Sequence, residues 1–456
     1  MFGIGLLGCP YLLGVTRNYW FSTNERHRWQ KKKVIIKALL VAGIDINLAS
    51  GECCTALITA IHKGNAELAI QLPDRGADPN IKAGKWGIAL EIAARHGDDE
   101  MFYELLKRGA NINMTYGYYG TALQAAISSG YYHLAQELLD RGADPAAPGL
   151  YASLLICASG FGNSGQVELV KRLISLDVKL DVFDSKKPED SDDSWNGAYY
   201  NALQIAARVG KEATIKLLLD SGANINAVGG TYGTALIAAI KGLSVNRYDS
   251  IVRLLLERGA DVNLVGGEFG TALQAAATEG RVAIAKLLLQ KGADVNIEGG
   301  NYGTALQAAC RNSNSEIVQE LLSRGAKVNT NCGLNGNPLQ AAASVGALEH
   351  IKALLEHGAD ISLPGGQYGF ALQALACSSR CDPDIMQYLL DKGANVNAVG
   401  GEYGTALQAA ACHHKAYVEI LLKQGADPRI EGGKYGSAIA AAKEKGFNRV
   451  VKLLQV

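Results

Sequence analysis

The sequence predicts an all-α solenoid: stacked helix–turn–helix units joined by β-hairpin-like fingers. Three observations carry this. One segment, GGEFGTALQAAATEGRVAIAKLLLQKGADVN in its plainest form, recurs along nearly the whole 456-residue chain. Its basic period is 33 residues, as between Thr271 and Thr304. A glycine stands four residues before every equivalent of Thr271. Self-similarity at such a period marks an architecture in which one unit cannot bury its own apolar face and neighbours must stack to make the core.

The equivalent positions are Thr55, Ile88, Thr121, Ser153, Asn201, Thr234, Thr271, Thr304, Asn337, Phe370, Thr405 and Ser437, twelve anchors in all. Within a unit, Thr271 is an N-cap residue whose hydroxyl can accept from a free N–H of the first turn. The first helix, Ala272–Thr278, is short and rich in alanine, so neighbouring helices can approach closely. Gly280 ends it. The second helix places Ile284, Leu287 and Leu288 at i, i+3 and i+4, one buried stripe. Gly292 then suits the left-handed stop. The same stop recurs from Gly76 to Gly425, with Asp177 as the exception. The connector Ala293–Gly303 is rich in Asp, Asn and Gly and reads as a turn-forming finger. Within it, the glycine four before the anchor (Gly267, Gly300, Gly333 and their equivalents) occurs in twelve units of twelve, so the backbone there needs a positive φ or leaves no room for a Cβ. At about 8–10 Å between packed helices, the array is expected to span roughly 100–120 Å with a large concave face.

Organisation follows from the same register. Residues 1–32 form a lead segment and residues 33–456 the repeat array, whose first unit is preceded by an incomplete helix over Lys33–Ala42. Apolar residues make up 48 % of the chain, the net charge is zero and the pI is near 7.1. No basic excess suggests a nucleic-acid-binding body. Nine scattered cysteines suit reduced thiols in a cytoplasmic or nuclear setting. No stretch reaches the roughly 18 apolar residues of a membrane-spanning helix. Residues 1–16 carry no charged side chain but contain four glycines and a proline, and read as a degenerate first repeat.

The period, the helix–turn–helix plan and the G-A-D-V-N turn resemble the ankyrin repeat. The family's T-P-L-H cap stands here as T-A-L-Q, at Thr121–Gln124, Thr271–Gln274, Thr304–Gln307 and Thr405–Gln408. The GGxYGTALQAA dialect is similar to that of filamentous-fungal ankyrin proteins. Glutamine in place of histidine means that the family's hydrogen bonding between units must be re-made by an amide or is lost. Only Asn337-Pro338-Leu339 keeps the proline. The resemblance implies protein binding without catalysis.

Several features depart from the plain unit. Two residues before the anchor stands an aromatic row: Trp86, Tyr119, Tyr151, Tyr199, Tyr232, Phe269, Tyr302, Tyr368, Tyr403 and Tyr435, broken only by Cys53 and Asn335. Each ring can pack inside its own turn, present a face to a partner, or do both. Amphipathic rings are enriched at binding hot spots, so all ten are candidate partner contacts. An insertion near 184–195, Asp184 to Trp195, is acidic and low in apolar residues and reads as a surface loop. Trp195 is its candidate contact, and Ser191, followed by two aspartates, its candidate modification site. Cys377, Cys381, Cys412, His413 and His414 cluster in adjacent units but match no standard zinc spacing. Pro73 should distort the end of its helix. The insert Lys241–Asp249 reads as a lengthened helix–helix turn. A basic run, Arg26–Lys33, reads as a solvated lead-in or a nuclear localisation signal.

No P-loop, G-x-S-x-G, H-E-x-x-H or CxxC pair is present. The expectation is a monomeric, non-enzymatic interaction scaffold with no cofactor and no metal. It would bind protein partners on its concave face, without nucleic acid or membrane. The alternative is a nuclear transcriptional co-regulator acting through protein contacts.

Overall fold

The structure is a computed structural model. It describes residues 45–49, 55–83, 87–149, 153–160, 165–183, 200–242, 245–312 and 314–455. The chain divides into two compact bodies. One comprises the described residues up to 206 with 211–224, the other 207–210 with 225–455.

Among the described residues the units are helix pairs, and no longer strand occurs. The first pairs are α1 (Ala56–His62) and α2 (Ala66–Gln71), α3 (Ala89–His96) and α4 (Asp99–Lys107), α5 (Ala122–Ser128) and α6 (Tyr132–Asp140), α7 (Leu154–Gly160) and α8 (Gln166–Ser175), α9 (Ala202–Val209) and α10 (Glu212–Asp220). Those of the second body are α11 (Ala235–Ile240) and α12 (Val245–Glu257), α13 (Ala272–Thr278) and α14 (Val282–Gln290), α15 (Ala305–Cys310) and α16 (Ser315–Ser323), α17 (Pro338–Ser344) and α18 (Leu348–Glu356). They continue with α19 (Ala371–Ala376) and α20 (Pro383–Asp391), α21 (Ala406–His413) and α22 (Lys415–Lys423), α23 (Ala438–Glu444) and α24 (Asn448–Leu454).

Caps start the first helices as the sequence predicts. The hydroxyls of Thr55, Thr121, Thr234, Thr271, Thr304 and Thr405 each accept from the N–H three residues on. Phe370 and Ile88 occupy the same place without a side-chain acceptor. Residues one to six after Thr271 are all buried, and alanine at four of them lets α13 approach α11 and α15. Leu288 of the second helix is fully buried.

Glycine stops follow the expected left-handed geometry, with φ of +88° at Gly292. Asp177, which lacks the glycine, nevertheless adopts φ +59°. A Cβ in this region costs free energy that glycine does not. Asp177→Gly is therefore expected to stabilise its unit by about 0.5–1 kcal/mol. A urea midpoint that stays put or falls would contradict this.

An asparagine clamp fastens several of the stops to the preceding unit. Asn263 donates Nδ2 to the carbonyl of Gly292 at 3.1 Å and accepts from the N–H of Asp294 at 2.8 Å. Asn80, Asn113, Asn296, Asn329 and Asn397 make the same pair of bonds. Ala146 and Ser362 stand at this position without a carboxamide.

Pro73 does what its missing N–H requires: α2 ends at Gln71 and Pro73–Arg75 continue as a single 3-10 turn. The insert Lys241–Asp249 differs from the expected loop. From Val245 it is helical and lengthens α12 to 13 residues. Val-Asn-Arg-Tyr-Asp contains no helix breaker, so the extra residues add a turn of helix once Gly242 has been passed.

Candidate protein-binding surface

The fingers begin with glycine pairs. In the second body Gly229 faces Gly233, Gly266 faces Gly270 and Gly299 faces Gly303 in isolated antiparallel bridges, and the pattern returns at Gly365, Gly400 and Gly432. The Gly266 N–H donates to the Gly270 carbonyl at 2.8 Å, closing a reverse turn with Gly267, Glu268 and Phe269 at its tip. Neighbouring tips are bonded through the backbone. The Glu268 N–H donates to Thr231 O at 2.9 Å and Asn301 N–H to Glu268 O at 2.8 Å, and Leu334 N–H donates to Asn301 O at 3.0 Å.

Such close approach leaves no room beside the tip. The glycine four before the anchor has a positive φ at Gly117, Gly230, Gly267, Gly300, Gly333, Gly366, Gly401 and Gly433. Gly149 meets the same demand through space: a Cβ there would lie 1.9 Å from Gln124 Oε1. Gly51, Gly84 and Gly197 lie outside the described residues.

Glutamine at the third position of the cap re-makes the link between units. Gln274 accepts with Oε1 from the Thr271 N–H and donates Nε2 to Ile297 O at 2.9 Å and Gly303 O at 2.6 Å in the next finger. Gln340 repeats the arrangement toward Gly369, while Gln373 repeats only the donation, to Ala398 O and Gly404 O. One amide thus closes the capping box and staples the next finger. Glu91 occupies this place in its unit. It is 2 % exposed and accepts from Tyr119 N–H at 3.2 Å and Ile88 N–H at 3.4 Å. Desolvation pushes its carboxyl up to about 7, against the pull of those two N–H groups and Arg95.

The described rings of the aromatic row, Tyr119, Tyr232, Phe269, Tyr302, Tyr368, Tyr403 and Tyr435, are all half-buried. Trp86, Tyr151, Tyr199, Trp195 and Ser191 lie outside the described residues, as does the basic run 26–33. Cations flank several rings. Arg208 lies 5.2 Å from the Tyr232 centroid, and Lys241 lies 4.1 Å from Phe269 while paired with Glu279. Lys434 lies 4.1 Å from Tyr403 and pairs with Glu402. Tyr232 and Phe269 stack at 5.7 Å with 7° between their planes. Several described rings are thus packed against a cation or a neighbouring ring, and all keep part of their surface exposed. Where Asn335 interrupts it, the side chain is buried and accepts from Arg311 Nη1 at 2.7 Å, so a guanidinium covers the vacant place.

The cysteine–histidine cluster does not come together as a ligand set. Among the described residues no three His, Cys, Asp or Glu side chains are disposed around one point. His414 Nε2 is bonded to Ser378 O at 2.6 Å, and burial pushes the Cys377 thiol up to about 12, away from the thiolate a metal needs. Among the described residues no helix is long and apolar enough to cross a membrane.

The sequence singled out neither the glycine just before the anchor nor the reach of the glutamine. The first left a signal, since nine of the twelve units carry that glycine.

A family model described as ankyrin repeats (three copies) matches residues 29–116, 154–266, 203–299 and 273–365, and a single ankyrin-repeat model matches 120–149 and 370–401. These spans take in well over half of the sequence. The chain belongs to the ankyrin-repeat family. Among solved structures this ankyrin chain is similar to the human ASB11 ankyrin repeat domain, at 27 % identity over 49 % of this chain and 96 % of that one, with a TM-score of 0.40. No curated protein matches it. Ankyrin repeats generally mediate protein–protein interaction and are typically not enzymes, and the fold of this chain is an all-α ankyrin solenoid.

Proposed function

We propose that this ankyrin array is a non-enzymatic scaffold that docks a protein partner on the face formed by its finger rings and first helices. The observation that carries this reading is the row of half-buried rings held by flanking cations and by backbone bonds between tips. A ring fixed before binding loses little conformational entropy when a partner covers its open face. Aromatic anchors of this kind dominate the energetics of protein interfaces.

Tyr302 and Tyr368 flank the Asn335 interruption, and their truncation leaves the glycine pairs and the glutamine staples in place. Affinity capture from the native host, with mass spectrometry, identifies bound proteins. Tyr302→Ala combined with Tyr368→Ala is expected to weaken the principal partner about tenfold or more with an unchanged melting temperature. Full retention of every partner by the double variant would count against this face as the contact surface.

A further inference from the structure

We propose that the first body binds an acidic segment of the docked protein, whose carboxylates lie on the cationic helix ends formed by His62, Lys63, Arg95 and His96. The inference rests on the scaffold reading and names the chemistry of the partner in this body.

His62 and Arg95 stand seven residues after the anchors Thr55 and Ile88, at the carboxyl ends of α1 and α3, and Lys63 and His96 follow them. The register fixes where this position points. In the second body Arg208 and Lys241, also seven after their anchors, lie 5.2 and 4.1 Å from the rings of the next finger. Lys241 is neutralised by Glu279, which stands eight after the anchor of the next unit. The same step joins His62 to His96, whose ring centroids are 5.9 Å apart. Taken again, it leads from Arg95 to Ser129. The place that holds a carboxylate beside Lys241 thus holds an imidazole and a hydroxyl in the first body.

Cations gather there with little to neutralise them. Among the described residues no carboxylate is ion-paired with Lys63, Arg95 or His96. The two acids whose charge reaches them are engaged elsewhere. Glu91 is buried and accepts from Tyr119 and Ile88 N–H, and Asp98 caps α4 by accepting from Met101 N–H. Lys63 and His96 are exposed, and His62 and Arg95 half-buried. The carbonyl ends of α1 and α3 make the crowding tolerable without discharging it. Its effect shows on the imidazoles. Burial, then Lys63, Arg95 and His96, hold His62 down to about 4, and burial and Arg95 lower His96 against the pull of Asp98. Arg95 Nη2 lies 3.3 Å from His96 Nε2 and can only donate, so that nitrogen accepts. A proton on it would set two cations against each other. A carboxylate between them accepts from both, and an acidic chain supplies a second for Lys63. In the second body the lysines beside the rings are paired with Glu279 and Glu402. A cluster confined to two units suits a short acidic stretch of protein, whereas a nucleic-acid backbone needs a longer basic track.

The test titrates the full chain into a rhodamine-labelled hexa-aspartate peptide at low ionic strength and follows anisotropy. Saturable binding is expected, about fivefold to tenfold weaker for Lys63→Gln and for Arg95→Gln, each the loss of one charge-assisted contact, with an unchanged melting temperature. Arg95→Lys, which keeps the charge, should retain most of the affinity, and Lys107→Gln, on the second helix α4 of the same body, all of it. A bound carboxylate favours the charged imidazoles. Affinity should therefore rise several-fold from about pH 7.5 to about pH 5.5, where aspartate is still ionised, and His96→Gln should flatten that rise. No saturable binding, equal binding of a hexa-lysine peptide, tighter binding of a thymidine hexanucleotide, or a level pH profile would overturn the proposal. So would full retention by Lys63→Gln and Arg95→Gln, which would place the peptide elsewhere, as on the basic run 26–33. The assay needs no partner. If Tyr302→Ala with Tyr368→Ala releases the captured proteins while hexa-aspartate fails to bind, the scaffold reading stands and this inference falls.

Discussion

Gly267→Ala is expected to destabilise the second body by about 2–5 kcal/mol, far more than Gly292→Ala. Both glycines lie in the left-handed region, at φ +63° and +88°. A single methyl group carries a conformational cost of about 1–2 kcal/mol at either position. The difference lies in what the methyl meets. At Gly292 nothing stands within 4 Å. At Gly267 the Cβ would lie 2.2 Å from Thr231 O and 2.6 Å from Gly233 N, both backbone atoms of the preceding finger. Backbone cannot swing aside as a flexible side chain can, so the tips must separate and the 2.9 Å bond from Glu268 N–H to Thr231 O is lost. Urea unfolding of the two variants side by side measures the gap. Equal losses would mean that the glycine four before the anchor is kept for its φ alone, and that close stacking of the tips is not what selects it.

That glycine shows how far the sequence could be read. Its recurrence in every unit announces a backbone constraint, and the period fixes the helices so well that Ala272–Thr278 emerges with the predicted bounds. For Gly267 the neighbour that imposes the constraint lies 34–36 residues upstream in backbone atoms common to all residues, and no residue type records it. The asparagine clamp was hidden for the same reason. Asn263 bonds the carbonyl of Gly292 and the N–H of Asp294, groups without a side-chain signature. Glutamine was legible as a substitution but its reach was not, because the carboxamide serves its own cap and two carbonyls of the next unit at once. The helical insert at Val245 was misread as loop because its length, and not its composition, set the expectation. The candidate site divides along the same line. The aromatic row can be read from spacing, whereas the cations over Tyr232 and Phe269 come from the ends of first helices about 24 and 28 residues away.

Glu91→Gln is expected to stabilise its unit by up to about 3 kcal/mol above pH 7, and by little near pH 4.5. Glu91 is the acid analogue of Gln274, buried at the same joint, but an ionised carboxylate has no N–H to give to the next finger. It turns instead to accept from Tyr119 N–H. Burial strips the carboxylate of solvent, which is why the site favours the neutral acid and lifts its pKa from 4.5 to about 7; once protonated, its O–H can donate as the amide does. The sign of the pH dependence follows. Between these two values the native state holds a proton that the unfolded chain has released, so wild-type stability declines as pH rises from 4.5 to 7 and is level above. Glutamine has no such proton and should abolish that decline while regaining the staple to the next finger. Urea midpoints of both proteins across this range decide the matter. Parallel curves would show that Glu91 is solvated or paired well enough to ionise freely, and that the joint between the second and third units is not held by this side chain.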